Sequence, residues 1–230
     1  MACLLKGGGG LYSRLVIGAV LLAAGSASRM GHRPKAMLQL GGVPLLRRQL
    51  IALSGAGMDE VVVVLGHHAE HLEPLVQDFP VTVVRNPDPD QGQISSLRLG
   101  LAALGGKLDA VMVALADQPL IGAGDLNDLV AAYKKRPDGA QVVQPMVDGQ
   151  RGNPVLMSQA VREAILAGQP SMGCRQWQAA NPEQVHLWDT PNRRYVTDVD
   201  TPEDIEALAQ RSGHRLSWPA AWATAPAPSH

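Results

Sequence analysis

Gly25 sits among small residues in the run Leu22-Ala-Ala-Gly-Ser-Ala-Ser-Arg-Met-Gly-His-Arg-Pro-Lys35, directly after the apolar stretch 15–21. A strand ending in such a loop lets backbone N–H groups approach oxygen atoms, and Arg29 and Lys35 add positive charge. The chemistry this suits is polyphosphate binding, hence a nucleotide. A second reactive group lies in Leu115-Ala-Asp-Gln-Pro-Leu120, where Asp117 follows a buried apolar run and stands where open α/β sheets place their ligands. Magnesium takes one or two carboxylates and fills its shell with phosphate oxygens and water, so Asp117 suffices as a first protein ligand. An Asp capping the turn before Pro119 is the plainer alternative. The phosphate loop does not follow the Walker spacing, and G-x-G-x-x-G is absent from the chain.

The elements that must position these groups follow from pattern. Residues 61–65, 81–84 and 110–115 are short apolar runs bounded by turn residues, as buried strands are. Between them, residues 45–53 and 95–104 carry apolar positions at helical spacing, the second capped by Ser95 or Ser96 and with Leu97, Leu101 and Leu104 on one stripe. Residues 69–76 form a weaker helix because Pro74 interrupts it. The series continues with a helix over 125–135, strands over 141–143 and 154–157, and a helix over 159–167. A helix over 202–210 follows, with Thr201 as N-cap, Pro202 first, and Glu203 and Asp204 in the first turn. This βαβ alternation predicts an α/β, three-layer, mainly parallel Rossmann-like sheet with right-handed crossovers.

The 230 residues suit one domain over 15–212, with a flexible extension 1–14 and a poorly ordered or accessory tail 213–230. Lys6 and Arg14 before residues 15–24 also resemble the basic and apolar regions of a signal peptide, whose cleavage near Ser28 would remove the phosphate loop. The run is shorter than a bilayer span and leads into a patterned loop, which favours a strand. Net charge is −1 and aromatic residues are 3%, so no global field or stacking platform favours nucleic acid, and no membrane contact is expected. Cys3 and Cys174 match no metal or redox spacing, which suits a reducing cytoplasm. His67, His68 and His71 lack the order of a zinc-protease helix and are expected on a strand-to-helix surface; like His32, they need not be catalytic.

Leu22, Ala23, Gly25, Arg29, Met30, Gly31 and Lys35 together resemble the L-A-A/G-G-x-x-x-R-M-G-x-x-x-K signature of nucleotidyltransferases that activate sugars and cofactors. Asp117-Gln-Pro119, the Ser95-Ser-Leu-Arg-Leu-Gly-Leu101 helix, Arg151-Gly-Asn-Pro-Val-Leu156 and Asp198-Val-Asp-Thr-Pro-Glu-Asp204 narrow this to a branch. They resemble the molybdenum cofactor cytidylyltransferase branch of the MobA-like nucleotidyltransferase family, over about residues 15–208. The loop's Ala23-Ala24-Gly25 wording resembles the cytidylyl more than the guanylyl members. Ser171-Met-Gly-Cys-Arg175 departs from the branch in lacking an acidic residue.

The resemblance implies Mg²⁺-dependent transfer of CMP from CTP to the phosphate of a molybdopterin-type acceptor, releasing pyrophosphate. It implies that Leu22, Ala23, Ala24, Gly25, Arg29 and Lys35 hold the nucleotide, with Gln93, Ser95 and Ser96 beside its base and ribose. Arg29, Lys35 and Asp117 are the expected catalytic residues. Asp200 is expected to join Asp117 on the metal, with Asp198 as the alternative; a carboxylate before a capped helix also has a purely stabilising role. Arg151, Gly152 and Asn153, with the 170–177 region, are expected to meet the acceptor, and a recipient molybdoenzyme or its chaperone would take the product. Other functions stay open: a guanylyl or sugar-1-phosphate transferase on the same fold, or a non-catalytic nucleotide or cofactor carrier.

Overall fold

The computed structural model describes residues 14–223. The expected extension up to residue 13 and the end of the tail, 224–230, lie outside the described residues. Eleven strands and eight α-helices alternate along the described chain. In order they are β1 (Ile17–Ala23), β2 (Gln39–Leu40), β3 (Val43–Pro44), α1 (Leu45–Gly55), β4 (Glu60–Leu65), α2 (Ala69–Leu72), β5 (Thr82–Arg85), α3 (Gln93–Ala103), β6 (Ala110–Leu115) and α4 (Ala123–Lys134). Then come β7 (Val142–Val147), β8 (Gln150–Arg151), β9 (Val155–Ser158), α5 (Gln159–Ala167), α6 (Cys174–Ala180), β10 (Val185–Asp189), α7 (Pro202–Ser212), β11 (Leu216–Ser217) and α8 (Ala220–Ala223).

The main sheet runs β10-β7-β9-β6-β1-β4-β5, with β8 paired to β7. Strand β1 lies between β4 and β6, parallel to both. Strand β9 opposes both its neighbours and β8 opposes β7; the other strands of this sheet run one way. The sheet is therefore mainly parallel, as the βαβ alternation predicted. Side chains of β1 show the layering, because successive residues of a strand point to opposite faces. Ile17, Ala19 and Leu21 enter a core with Leu46, Leu50 and Leu53 of α1 and Leu126 and Leu129 of α4. Val20 and Leu22 enter a second core with Leu97 and Leu101 of α3 and Val161 and Ile165 of α5. Burying each such side chain stabilises the fold by about 1.5–3 kcal/mol, and the sheet is covered on both sides.

Helices α3 and α5 finish each other's ends. Arg98 of α3 donates to the carbonyl of Leu166 in the last turn of α5 at 3.0 Å and to that of its C-cap, Gly168, at 3.3 Å. Arg162 of α5 donates to Leu101 at 2.9 Å and also to Leu104. These carbonyls have no partner within their own helix, and a cation there also suits the helix dipole.

A third, smaller core joins Met30, Leu38, Leu40 and Leu45 to Val199, Leu208 and Leu216. Residues 213–223 of the tail, expected to be poorly ordered or an accessory contact, pack on this core. Leu216 is 8% exposed and β11 pairs antiparallel with β2, while Trp218 stacks over the Arg33 guanidinium at 4.3 Å. The Arg33 Nη1 group also donates to the Trp222 carbonyl at 3.3 Å, and the Trp222 ring meets His71 edge-on at 4.9 Å. These contacts give the apolar rings burial that tail composition alone did not reveal. A departure is the start of α3: Gly92, not Ser95 or Ser96, is its N-cap, and both serines lie inside the helix. A positive φ of 90° at Gly92 begins the helix earlier than a serine cap would.

Candidate active site

The phosphate-loop candidate leaves β1 and winds around the carbonyl of Ala27. That residue is left-handed (φ 51°), which lets the N–H groups of Met30 and His32 both donate to it, at 2.9 and 3.0 Å. Met30 (1% exposed) and Leu38 (fully buried) anchor the segment in the third core. Arg29, next to the first anchor, and Lys35, between the two, are thereby turned to the carboxyl edge of the sheet.

Two acids meet them there. Asp117 lies two residues after the end of β6, and its carbonyl accepts the N–H of Val199 at 3.0 Å, drawing the 198–200 segment against the strand end. A capping box then fixes Asp200. The Asp204 carboxylate accepts the N–H groups of Asp200 and Thr201 at 2.9 and 2.8 Å, while Thr201 Oγ1 accepts from Asp204 N. Burial would raise the Asp204 pKa, but the N–H groups of Asp200 and Thr201 override it and hold the carboxyl below its ordinary value.

Lys35 Nζ bridges the pair, 3.0 Å from Asp117 Oδ2 and 2.5 Å from Asp200 Oδ1, and Arg29 Nη2 lies 3.0 Å from Asp200 Oδ2. The Lys35 side chain is 18% exposed, against 68% for Arg29, so the lysine carries the buried interaction and the arginine stands in solvent. Burial lowers the Lys35 pKa, but attraction from Asp117 and Asp200 outweighs it and raises the ammonium above its ordinary value. Asp198 is not part of the bridge. Burial and repulsion from Asp117 and Asp200 push its carboxyl up.

The donor set suits a hard divalent cation. Asp117 Oδ1 is buried without a hydrogen-bond partner, and a buried carboxylate oxygen in that state costs free energy that a cation would recover. Among the described residues no group of three or more His, Cys, Asp or Glu side chains could hold a metal ion. Two carboxylates are what the protein offers here, and magnesium habitually completes such a pair with phosphate and water oxygens.

Beside the bridge opens a cleft of about 430 Å³ lined by Leu22, Ala23, Ala24 and Gly25, by Lys35 and Asp117, and by Gln93 and Ser96. That volume is within the ordinary range for a small-molecule site. Ser95 is outside the lining. Asn86 Nδ2 donates to the hydroxyls of Ser95 and Ser96 at 2.8 and 2.9 Å, and Ser95 Oγ donates to the Gly92 carbonyl at 2.8 Å, which holds the start of α3 against the end of β5.

His67 and His68, on the expected turn between β4 and α2, also line this cleft. Gly66 brings them in: a Cβ there would lie 2.5 Å from the Ala24 carbonyl oxygen, so only glycine lets the loop after β4 press on the loop after β1. His68 Nε2 lies 3.1 Å from Ser26 O and His67 Nε2 lies 3.2 Å from Asp90 Oδ1. Burial lowers the His68 pKa; the Ser26 carbonyl opposes this, and His67, His71 and His32 add to the lowering. His68 is therefore neutral at pH 7, an N–H donor to Ser26 that steadies the loop. The signal for this wall was Gly66 after a second parallel strand, the same strand-then-small-residue arrangement as at Gly25.

Arg151, Gly152 and Asn153 are not in the cleft. The register Val113↔Val155 places Asn153 beyond the same sheet edge, and its N–H shares the Tyr195 carbonyl with Gln118 Nε2, at 2.8 and 2.9 Å. The segment is thus tied to the strand end that bears Asp117. Arg151 Nη1 lies 3.2 Å from Gln178 Oε1. Cys174, in the neighbouring α6, has a thiol that burial pushes up to about 12, so little thiolate exists at neutral pH.

A three-layer α/β sheet with a cation-rich loop after its first central strand and acids at its carboxyl edge defines a nucleotidyltransferase-type fold. A family model described as the MobA-like NTP transferase domain matches residues 19–185, and the chain belongs to that family. It is 30% identical over 193 residues to nicotine blue oxidoreductase of Paenarthrobacter nicotinovorans, covering 82% of this chain and 94% of that protein. It is likewise 30% identical over 141 residues to the bifunctional protein GlmU of Bifidobacterium adolescentis, covering 58% of this chain but 30% of that protein. Among solved structures, a nucleotidyl transferase from Methanothermobacter thermautotroptrophicus superposes with a TM-score of 0.70 at 25% identity, covering 85% of this chain and 96% of that one. No helix among the described residues is long and apolar enough to cross a membrane.

Proposed function

We propose that this protein is a Mg²⁺-dependent cytidylyltransferase that joins CMP from CTP to the terminal phosphate of a molybdopterin-type acceptor and releases pyrophosphate. The observation that carries the transferase reading is the Lys35 bridge between Asp117 and Asp200, with Arg29 beside it. Displacement at phosphorus needs positioning and charge neutralisation more than covalent help from the protein. Lys35 and Arg29 have the charge and placement to bind the β- and γ-phosphates and to stabilise the pyrophosphate as it leaves. Asp117 and Asp200 would hold Mg²⁺, which when bound polarises the phosphate oxygens and offsets their charge. Gly25 and its neighbours orient the nucleotide from one side of the cleft, with Gln93 and Ser96 on the other. Cytosine and the pterin acceptor are supported by Ala23-Ala24-Gly25, Asp117-Gln-Pro119 and Arg151-Gly-Asn-Pro154.

Two relatives point to other readings. The match to GlmU fits a sugar-1-phosphate nucleotidyltransferase. The Paenarthrobacter relative, 94% of whose length this chain covers, is named as an oxidoreductase. Pyrophosphate release, followed with each NTP and with molybdopterin or a hexose 1-phosphate, separates them. Turnover confined to CTP with molybdopterin supports the proposal. Turnover with another pair redirects the substrate, while redox turnover of nicotine blue without pyrophosphate release overturns the transferase reading.

A further inference from the structure

Two segments that line the nucleotide cleft are gripped, one residue earlier, by the C-terminal tail. Arg33 immediately precedes Pro34 and Lys35, and His71 immediately precedes Leu72; Pro34, Lys35 and Leu72 line the cleft. The Arg33 guanidinium lies 4.3 Å over the Trp218 ring, its Nη1 donates to the Trp222 carbonyl at 3.3 Å, and its Nε donates to the Met30 carbonyl at 3.3 Å. The Trp222 ring in turn meets His71 edge-on at 4.9 Å. One short stretch of tail thus joins the loop after β1 to helix α2 after β4, although none of Arg33, His71, Trp218 and Trp222 lines the cleft itself. The tail is anchored at its start. Leu216 pairs with Leu40 and is buried in the third core with Met30, next to Arg29, and Val199, next to Asp200. Pro34 carries the placement of Arg33 on to Lys35, because its ring fixes its own φ, here −66°, and restricts the residue before it.

We propose that the segment 213–223 is a strap that sets the affinity of the cleft for its nucleotide, with Arg33, Trp218 and Trp222 as positioning residues. The proposal rests on reading the 430 Å³ cleft as the nucleotide site and is independent of the base and of the acceptor. With the strap docked, the loop is held where Lys35 meets Asp117 and Asp200. With the strap undocked, the loop samples other placements, and apparent affinity falls by the fraction of molecules that stay competent. The coupling is reciprocal by thermodynamic necessity: if a docked tail tightens nucleotide binding, a bound nucleotide tightens tail docking by the same factor. A tail that merely covers apolar surface would add to unfolding stability and leave nucleotide affinity alone. Saturating nucleotide gathers the molecules into the strapped form, so loss of a strap contact acts on KM rather than on kcat.

Hydrogen exchange of the wild-type chain, with and without each of CTP, GTP, ATP and UTP in Mg²⁺, tests the link without any substitution. The nucleotide that slows exchange over residues 22–38 is expected to slow it over 213–223 as well. Slowing of 22–38 without slowing of 213–223 overturns the strap alone, whereas no slowing of 22–38 by any nucleotide overturns the nucleotide reading and the strap with it. Calorimetric titration of that nucleotide into Arg33→Met and Trp222→Ala should show Kd raised roughly five- to thirtyfold, the range expected for losing a stacked cation or its ring partner. Arg33→Lys, which keeps a cation over Trp218 but not the planar fork, should fall between Arg33→Met and wild type. Trp222→Ala removes no charge. A rise in Kd confined to Arg33→Met is therefore the electrostatic outcome and overturns the strap, as does a lowered Tm with Kd unchanged in both variants. If a variant does not fold, the exchange of the wild-type chain decides.

Discussion

Replacing Lys35 by Met keeps most of the apolar stem and removes the ammonium that separates two acids. Asp117 Oδ2 and Asp200 Oδ1 lie on one nitrogen at 3.0 and 2.5 Å, so they are at most about 5.5 Å apart. At an effective dielectric constant of about 20, two unit charges at that separation repel by about 3 kcal/mol. The three side chains are 18–28% exposed, so solvent screening is limited, though Arg29 remains on Asp200. Lys35→Met should therefore lower unfolding free energy by roughly 2–3 kcal/mol at pH 7 in a divalent-free buffer. The deficit should shrink as pH falls towards 4, because the unbalanced carboxylates then bind a proton more readily folded than unfolded. In wild type the sign is opposite. The raised Lys35 pKa gives a stabilisation present below about 10.5 and lost as pH climbs through the folded value.

Magnesium makes the test specific. In wild type the ion must compete with the ammonium for both acids; in the variant it replaces a missing charge. At a hundredfold over its Kd, Mg²⁺ should return about 2.7 kcal/mol to the variant, and much less to wild type. Urea unfolding followed by circular dichroism at several Mg²⁺ concentrations measures this, and pyrophosphate release should fall about a hundredfold in parallel. Equal unfolding midpoints with equal Mg²⁺ responses in the two proteins would refute the bridge as the organising interaction of the site.

Three further outcomes follow from neighbouring contacts. Asp117→Asn should reduce turnover by about a hundredfold or more with unchanged circular dichroism, and should abolish any Mg²⁺-dependent rise in Tm, read by calorimetry. Trp218→Ala/Trp222→Ala removes the stack on Arg33 and the edge contact to His71, at a cost of about 1–2 kcal/mol. Faster hydrogen exchange over residues 27–38 and a higher KM for the nucleotide should accompany that loss. Gly66→Ala forces a Cβ against Ala24 and should cost about 1–3 kcal/mol while raising the nucleotide KM; an unchanged KM would show that the loop approach does not shape the cleft.

The parts of the site that could be read in the sequence are those whose chemistry is local. Gly25, Arg29 and Lys35 belong to one loop after one strand, and Thr201-Pro202-Glu203-Asp204 announces a helix start that in turn fixes Asp200. Parallel strands with apolar runs revealed the sheet for the same reason, since both faces of each strand are covered. Strand direction was less visible: β9 has the same apolar run whether it lies parallel or antiparallel to β6. What escaped depended on distant partners. Ser95 and Ser96 read as helix caps by residue type, but the left-handed Gly92 begins α3 first and Asn86 claims both hydroxyls. His67 and His68 lack any ligand spacing, and their place in the cleft follows from β4 lying beside β1, with Gly66 allowing the approach. The tail's rings gain meaning only against Arg33 and His71, far away in sequence. The local rules thus found the charged half of the site, and sheet order supplied the wall that closes it. A sequence reading that ranks strand-end loops by their neighbours in a parallel sheet would have examined residues 66–68 directly after 22–25.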